Sequence, residues 1–366
     1  MHAEERHEFI LRELRDNGSI RVAEVAGRLK VSPITIRRDV ETLADRGLLV
    51  RVHGGARLPA ALEAPAVAPS GASASASANA RPVRADGQTL GMLVPSAGYY
   101  YPEVIRGARE TAAARGARLV LGISRYHDAD EDEVQARRLV STGVDGLLLT
   151  PSGRDPDAQQ AGLADLGVPV VLVERPARAG TGLEHVISAH SQGAETAAGH
   201  LARLGYRQIG LVTRVDSPTT PWLREGFQAG LAAADLKPGP FLEAPAPDQA
   251  PQEYEEHAVR LAEEVRAGRL EALLVHNDHD AIQLTQRLRA LGLQIPSDVA
   301  IVAYDDEVAA LADIPLTAVA PPKYAVGAAA MEFLLARLAD PGRPRHRLAL
   351  LPELRVRASC GQRDAR

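Results

Sequence analysis

The chain has 366 residues, a formal net charge of −5 and 45% hydrophobic residues. This length predicts two or three domains with at least one large hydrophobic core. No run of about 18 apolar residues occurs, so we expect no membrane-spanning helix. The single cysteine, Cys360, excludes a disulfide framework and a cysteine metal site. The charged N-terminal segment lacks the apolar centre of a signal peptide, which predicts a cytoplasmic protein.

Apolar residues at helical spacing predict three short helices near the N-terminus. The first ends at residues 17–18, the second covers about 20–30 and the third about 33–46, with Ser32 as a favourable cap. The short turn between the last two helices is typical of a helix-turn-helix. Apolar segments on either side of the glycine pair at residues 54–55 predict a small hairpin, or wing.

The third helix has a buried and an exposed side. Ile36, Val40 and Leu43 recur at steps of four and three and form its apolar stripe. Arg37 and Arg38 lie off that stripe, where guanidinium groups suit phosphates and guanine edges in the major groove. A solvated helix face is the alternative for both arginines. The candidate DNA contacts are Ser32, Thr35, Arg37 and Arg38 on the helix, and Arg51, His53, Gly54 and Gly55 on the wing.

A segment of low complexity follows the wing. Residues 59–87 are almost entirely Ala, Pro, Ser and Gly, with few side chains that could build a core. We expect a flexible linker with an end-to-end distance on the order of 30 Å. It separates a DNA-binding domain, residues 1–58, from a larger domain, residues 88–360.

The larger domain alternates apolar strands with amphipathic helices. Strands that are apolar on both faces predict parallel sheets covered by helices on both sides. We therefore expect an α/β fold of two doubly wound parallel-sheet subdomains, with a ligand beyond the carboxyl ends of the strands. The predicted strands lie in the segments TLGMLV, ARLVLGI, VDGLLLT, VPVVLVE, RQIGLVT, LEALLVHND and DVAIVAYDD.

The sequence contains no catalytic signature. It has no phosphate-binding loop, no Gly-x-Ser-x-Gly, no His-Glu-x-x-His and no Gly-x-Gly-x-x-Gly after a strand. The cluster HNDHD at 276–280 spans a strand end and a helix start, so its side chains should diverge instead of holding a metal. We expect a protein that is not an enzyme and that needs no cofactor and no metal.

The N-terminal residues resemble the DNA-binding domain of DeoR-family bacterial repressors. The shared pattern over residues 6–57 includes V.EVA..L.VS..TIRRD...L...G.L.R.HGGA. The resemblance implies that Thr35, Arg37 and Arg38 face DNA and that residues 53–55 form the wing.

Residues 88–360 resemble a different family, the sensor domains of LacI/GalR repressors, which are similar to periplasmic binding proteins. The matching segments include YYYPEVIRGARE, GVDGLLLTPS, GAETAAGHLARLGYRQIGLV and LQIPSDVAIVAYDD. The resemblance implies a homodimer that binds double-stranded operator DNA and a small effector, here a sugar or polyol.

Six residues are candidates for effector binding. The resemblance implies that Tyr100, Tyr101, Arg224 and Asp278 reach the ligand, and Trp222 and His190 are added as a possible stacking and polar contact. Each has a structural alternative. Packing could explain the tyrosines and Trp222, a salt bridge Arg224, a helix cap Asp278 and a core position His190.

The chain also departs from LacI/GalR proteins. Ala189-His190 stands where the family usually has Asp-Asn, Glu174-Arg175 stands for Asp-Arg, and the long linker replaces a hinge helix. We expect a ligand-responsive repressor of carbohydrate-utilisation genes. The alternatives are a sensor for a non-sugar metabolite, or a C-terminal domain that serves only as a dimerisation platform.

Replacing Arg38 with alanine should weaken operator binding. It should also lower the slope of log affinity against log salt concentration by about one, because the guanidinium that neutralises one phosphate and releases its counterion is lost. Effector binding should stay unchanged. DNA anisotropy over a series of salt concentrations measures both quantities. Wild-type affinity and salt slope would place the DNA-contacting helix elsewhere in the chain.

Overall fold

A computed structural model describes residues 6–7, 9–10, 13–14, 19–29, 31–32, 35–36, 38–40, 43, 49–52, 55–57, 87–124, 129–152, 156–215, 217–246 and 249–361. The chain divides into two compact units, residues 1–80 and 81–366. The predicted linker lies outside the described residues except for Gly87. No helix in the described ranges is long and apolar enough to cross a lipid bilayer.

The first unit contains a small antiparallel sheet. Its elements are β1 (Ser19–Arg21), α1 (Val22–Leu29), β2 (Val50–Val52) and β3 (Gly55–Arg57), and the strand order is β1-β3-β2. Strands β2 and β3 form the predicted wing, with Val52 paired to Gly55. Strand β1 was not predicted, since three residues are too short to show a strand period.

The third helix is fixed to the core of this unit. Ile36, Val40 and Leu43 are buried, as the stripe predicted. The Ser32 hydroxyl accepts a hydrogen bond from the Thr35 amide at 3.1 Å, which confirms the predicted cap.

Asp39 anchors the same helix to the N-terminal one. Its carboxylate accepts two hydrogen bonds from the Arg6 guanidinium, at 2.7 and 3.0 Å, and lies 3.1 Å from His7 Nε2. Burial tends to raise the pKa of Asp39, but Arg6 and His7 lower it below its usual range. The helix that carries Arg38 is therefore held by charge as well as by apolar packing.

The second unit begins with a six-stranded, wholly parallel sheet of order β14-β8-β7-β6-β4-β5. Helices α2 and α9 cover one face of this sheet, and α3 and α4 cover the other. The elements are β4 (Thr89–Val94), α2 (Tyr101–Ala114), β5 (Arg118–Ile123), α3 (Ala129–Ser141), β6 (Gly146–Leu149), α4 (Pro156–Ala164), β7 (Val170–Val173), β8 (Glu184–Ser188), α9 (Lys323–Ala339) and β14 (Arg347–Leu350).

A second sheet has the order β10-β9-β11-β12-β13-β15, and only β15 runs antiparallel to its neighbour. Helices α5 and α6 cover one face, and α7 and α8 cover the other. The elements are α5 (His190–Arg203), β9 (Ile209–Arg214), α6 (Thr220–Ala232), β10 (Phe241–Ala244), α7 (Pro251–Arg266), β11 (Ala272–Val275), α8 (Asp278–Ala290), β12 (Ala300–Tyr304), β13 (Thr317–Ala320) and β15 (Glu353–Arg355).

The two sheets confirm the predicted pair of doubly wound subdomains. All seven predicted strands are present, and five more complete the sheets, namely β8, β10, β13, β14 and β15. The sequence analysis did not identify these five, and two of them, β14 and β15, are only half covered. The chain passes between the subdomains three times, at residues 188–190, 320–323 and 350–353.

Two glycines allow close helix packing in the second unit. A Cβ atom at Gly327 of α9 would lie 1.9 Å from the Val104 carbonyl oxygen of α2, and one at Gly226 of α6 would lie 1.8 Å from the Ser191 carbonyl oxygen of α5. Any side chain at either position would force the helices apart.

A buried ion pair holds the first subdomain together near its edge. Arg337 of α9 donates to Glu184 of β8 at 3.0 Å, and both side chains are more than nine-tenths buried. The remaining Arg337 donors bond the carbonyl oxygens of Pro341, Arg343 and Pro344. Every charge in this pair therefore has partners.

Replacing Arg337 with methionine should lower the free energy of unfolding by about 3–5 kcal/mol, because buried Glu184 would lose its nearest guanidinium and keep the more distant one of Arg343, at 4.0 Å. Urea unfolding measures the loss. Arg115→Met is the matched control, since Arg115 pairs with Glu332 at the exposed surface and its loss should have little effect. Equal stability of the two variants would contradict the structural role of the pair.

Candidate effector site and DNA-binding elements

A cleft of about 670 Å³ lies where the carboxyl ends of the strands meet between the two sensor subdomains. Most of the residues that line it have polar side chains. The first subdomain contributes Ser96, Gly98, Tyr99, Tyr100, Tyr101, Glu174 and Arg175. The second contributes His190, Arg214, Val215, Ser217, Pro218, Thr219, Pro245, Ala246, Gln249, Glu253, His276, Asn277, His279 and Asp305.

Glu174, directly after β7, is the centre of a hydrogen-bond network on the first wall. It is only 2% exposed and accepts from the Tyr100 hydroxyl at 2.6 Å, the Ser188 hydroxyl at 2.8 Å and the Ser188 amide at 2.9 Å. Its Oε2 atom also lies 3.5 Å from His190 Nε2 across the subdomain junction. Burial tends to raise the pKa of Glu174, but His190, Ser188 and Tyr100 lower it to about 2.

His190 is enclosed by aromatic and polar groups at the start of α5. Its Nδ1 atom lies 3.2 Å from the Tyr304 hydroxyl, and its ring stacks on Trp222 with a centroid distance of 6.1 Å and an interplanar angle of 11°. It therefore contacts Glu174 of one subdomain and Tyr304 of the other, and it also lines the cleft.

Asp278, the first residue of α8, is fully buried behind the second wall. Its Oδ2 atom accepts the backbone amides of Val308 and Ala309, at 2.6 and 2.9 Å, and its Oδ1 atom accepts the Tyr99 hydroxyl. The residue that caps α8 is Asn277, not Asp278. Asp278 thus organises the loop after β12 and meets a side chain from the opposite subdomain.

Two further groups beside Asp278 have shifted pKa values. Burial and the nearby Asp278 carboxylate raise the pKa of Asp305 to about 7, against the lowering effect of Lys323. Burial lowers the pKa of His276 to about 3, and the charges of His190 and Arg214 act in the same direction. His276 Nε2 lies 3.7 Å from Asp305 Oδ2 at the cleft floor, which is too far for a hydrogen bond.

An arginine enters the cleft from each subdomain. Arg175 donates to the carbonyl oxygens of Pro151 and Glu174, at 3.0 and 2.6 Å. Arg214, at the end of β9, makes a bidentate ion pair with Asp280 at 2.6 and 2.9 Å. The backbone and Asp280 thus fix both guanidinium groups against the cleft walls.

The structure brings together some of the predicted effector residues and separates others. Tyr100, Tyr101 and His190 line the cleft, and Trp222 stacks behind His190. Arg224 is exposed on the outer face of α6, where its guanidinium stacks over Phe241 at 4.4 Å.

Helix periodicity explains the position of Arg224. The buried side of α6 carries Leu223, Gly226 and Phe227, so a residue one step after Leu223 is turned about 100° away from the core. The structure therefore does not place Arg224 among the residues that line the cleft, and its contact with an effector stays a prediction. The cleft arginines are Arg175 and Arg214.

The sequence reasoning missed several cleft residues, above all Tyr99, Glu174, Arg214, His276 and Asp305. Each lies at or just after the carboxyl end of a strand or in the turn that follows it. A systematic search of those positions would have found them, because ligands in such folds bind at that edge. Among the described residues, no group of three or more His, Cys, Asp or Glu side chains is placed to hold a metal ion.

The structure describes only part of the predicted DNA-contact set. Thr35 and Arg38 lie on the helical residues that follow Ser32, and Arg38 is exposed. Arg51 lies in β2, and Gly55 begins β3. Arg37, His53 and Gly54 fall outside the described residues, and the DNA contacts of the whole set stay a prediction.

Two family models match separate parts of the chain. One describes a DeoR-like helix-turn-helix domain and matches residues 6–61, and the other describes a periplasmic binding protein-like domain and matches residues 198–360. The chain joins a DeoR-like DNA-binding domain to a periplasmic binding protein-like sensor. This confirms both predicted resemblances within one protein.

Known repressors are similar over the sensor. The HTH-type transcriptional repressor PurR of Aliivibrio salmonicida is 28% identical over 282 residues, which cover 74% of this chain and 81% of that protein. The ribose operon repressor of Escherichia coli K12 is 29% identical over 280 residues, which cover 74% and 82%.

A solved structure shows the same fold. The LacI family transcriptional regulator from Enterococcus faecium with bound ribose has a TM-score of 0.62 and 22% identity, and the match covers 76% of this chain and all of that one.

His276 should make the protein less stable as the pH falls from about 6.5 toward about 3. The unfolded state then binds a proton that the folded His276 does not, so its stabilising contribution is present above 6.5 and is lost on acidification. His276→Asn should remove this dependence, so that the difference in unfolding free energy between the two proteins changes by up to about 1.4 kcal/mol per pH unit. Urea unfolding at several pH values measures it, and a difference that does not depend on pH would show that His276 is not held neutral.

Proposed function

We propose that this protein is a repressor of carbohydrate-utilisation genes whose affinity for operator DNA is changed by a sugar or polyol. The observation that carries the proposal is the presence, in one chain, of a DeoR-like DNA-binding domain and a sensor whose cleft takes polar groups from two subdomains. An effector that contacts both walls favours one arrangement of the subdomains over another, and this difference in binding free energy is the source of regulation.

The chemistry of the cleft supports a polyhydroxylated effector. Carboxylates at Glu174 and Asp305 accept hydrogen bonds from hydroxyl groups, whereas Arg175 and Arg214 donate to hydroxyl oxygens. Tyrosine rings beside these groups offer faces for the C–H side of a sugar ring. The names of two similar proteins, a ribose operon repressor and a regulator with bound ribose, make D-ribose the first compound to test.

We further propose that the protein is a cytoplasmic homodimer. Two DNA-binding domains would then contact two half-sites, as two-fold symmetric regulators of this kind do. Residues 59–87 would act as a long tether, so that the sensor would regulate through dimer geometry and the effective concentration of the two DNA-binding domains instead of through a folded hinge helix.

Fluorescence anisotropy tests this function with the full-length protein and DNA from the intergenic regions flanking its own gene. The titration is repeated with D-ribose, other pentoses and hexoses, their phosphates and purine bases, the last because PurR is a relative. Tight binding that one sugar changes would support the proposal. Binding that only a purine changes would favour a non-sugar sensor, and binding that no compound changes would favour a dimerisation platform.

Asp278→Asn should abolish the effector response and leave DNA affinity within about twofold. The buried carboxylate orders the loop after β12 through two backbone amides, and an amide side chain cannot accept all of the same hydrogen bonds. Asp313→Asn is the control, because Asp313 is on the exposed surface of the same subdomain. A normal response of the Asp278 variant in the anisotropy assay would remove this residue from the effector site.

A further inference from the structure

Tyr99 spans the cleft between the two sensor subdomains. It lies in the turn between β4 and α2, with a φ of +50° that directs the chain into this turn. Its hydroxyl donates to Asp278 Oδ1 and lies 3.3 Å from Asp305 Oδ2, and both of these residues belong to the second subdomain. One phenol group from the first subdomain therefore joins two buried carboxyl groups of the other.

The Tyr99 hydroxyl completes the hydrogen bonding of Asp278. Backbone amides of Val308 and Ala309 occupy Oδ2 from inside the subdomain, and the phenol occupies Oδ1 from the side of the cleft. A hydrogen bond to an ionised carboxylate is stronger than one between neutral groups. The acceptor that an effector hydroxyl would use at this position is already taken by a protein side chain.

The three consecutive tyrosines have different roles. Tyr101 packs in the hydrophobic core of the first subdomain, and Tyr100 bonds Glu174 of the same subdomain. Tyr99 hydrogen-bonds acceptors in the second subdomain, Asp278 and Asp305. Their exposure also differs, since Tyr101 is buried whereas Tyr99 and Tyr100 are half-buried at the cleft.

His190 and Lys323 also make polar contacts between the subdomains, but both lie at chain crossings. His190, beside Glu174, directly follows the crossing at 188–190, and Lys323, which contacts Asp305 and Glu307, ends the crossing at 320–323. The covalent chain keeps these partners near one another in any arrangement of the subdomains. Tyr99 is far from each crossing along the chain, so its contact depends on how the subdomains are arranged.

We propose that Tyr99 is an internal competitor of the effector. Without effector, its hydroxyl holds the subdomains together and occupies the position on Asp278 and Asp305 where an effector hydroxyl would form hydrogen bonds. This hydroxyl must leave when the effector binds. The competition rests on the proposed effector-responsive function, whereas the closure of the subdomains by Tyr99 does not. The apparent association constant for the effector is then the intrinsic constant multiplied by the fraction of molecules in which Tyr99 has released its acceptors.

Tyr99→Phe tests both parts, because it removes the hydroxyl and keeps the ring. The matched control is Tyr324→Phe, which removes a hydroxyl that donates to Glu110 at 2.9 Å on the outer surface of the first subdomain. Both variants and the wild type are compared as full-length proteins, and hydrogen exchange throughout the rest of the sensor checks that each is folded.

The first measurement is amide hydrogen exchange without effector. Tyr99→Phe should speed exchange in residues 96–101 and 305–309, which lie on opposite subdomains, by roughly 3- to 30-fold, the range that loss of one charge-assisted hydrogen bond produces. Tyr324→Phe should leave both segments unchanged. Wild-type exchange in Tyr99→Phe would overturn the proposal, because the hydroxyl would then hold nothing together.

The second measurement is titration with D-ribose, followed by the fluorescence of the single tryptophan, Trp222, which stacks on His190 beside the cleft. Tyr99→Phe should bind more tightly than wild type by a similar factor, whereas Tyr324→Phe should bind like wild type. Equal or weaker binding by Tyr99→Phe would overturn the competition, since Tyr99 would then be neutral or a direct effector contact. If no variant responds to D-ribose or to the other sugars, the proposed sugar response fails and the competition with it, but hydrogen exchange still decides whether Tyr99 closes the subdomains.

Discussion

The sensor depends on how buried carboxyl groups obtain hydrogen-bond donors at the junction of its two sheets. Glu174, Asp278 and Asp305 are all nearly inaccessible to water, and an unpartnered charge in such a place would cost several kcal/mol. Glu174 is satisfied by Tyr100, Ser188 and His190, and Asp278 by two backbone amides and Tyr99. Asp305 has fewer donors to offset its burial and the nearby Asp278 charge, which raise its pKa to about 7.

The same requirement couples the subdomains. Donors for Glu174 and Asp278 come partly from the opposite side of the junction, so a change in the arrangement of the subdomains also changes how these charges are satisfied. An effector rich in hydroxyl groups can replace such donors and acceptors, which makes the junction a suitable place to convert binding into a structural change. A wholly apolar junction would pack more simply but would offer an effector no exchange of hydrogen bonds.

Particular residues show what sequence patterns could and could not predict. The stripe of Ile36, Val40 and Leu43 and the cap at Ser32 were predicted correctly, because helix periodicity and capping act over a few residues. Arg224 was predicted to face the cleft but lies on the exposed side of its helix, since a short motif match does not say which side of a helix is buried. Tyr99 was overlooked beside Tyr100 and Tyr101, because three adjacent tyrosines look equivalent until their acceptors are known.

The sequence by itself determined the order of the domains, the α/β class of the sensor and the edge of the sheets where a ligand would bind. These features follow from composition, hydrophobic period and the fixed hand of strand–helix–strand connections, all of which are local or topological. Only the tertiary structure decided which side chains meet across the cleft. Residues 99, 174, 190, 278 and 305 are far apart in the chain, and their contacts and pKa shifts depend on distances of a few ångströms and on burial, which no local pattern encodes.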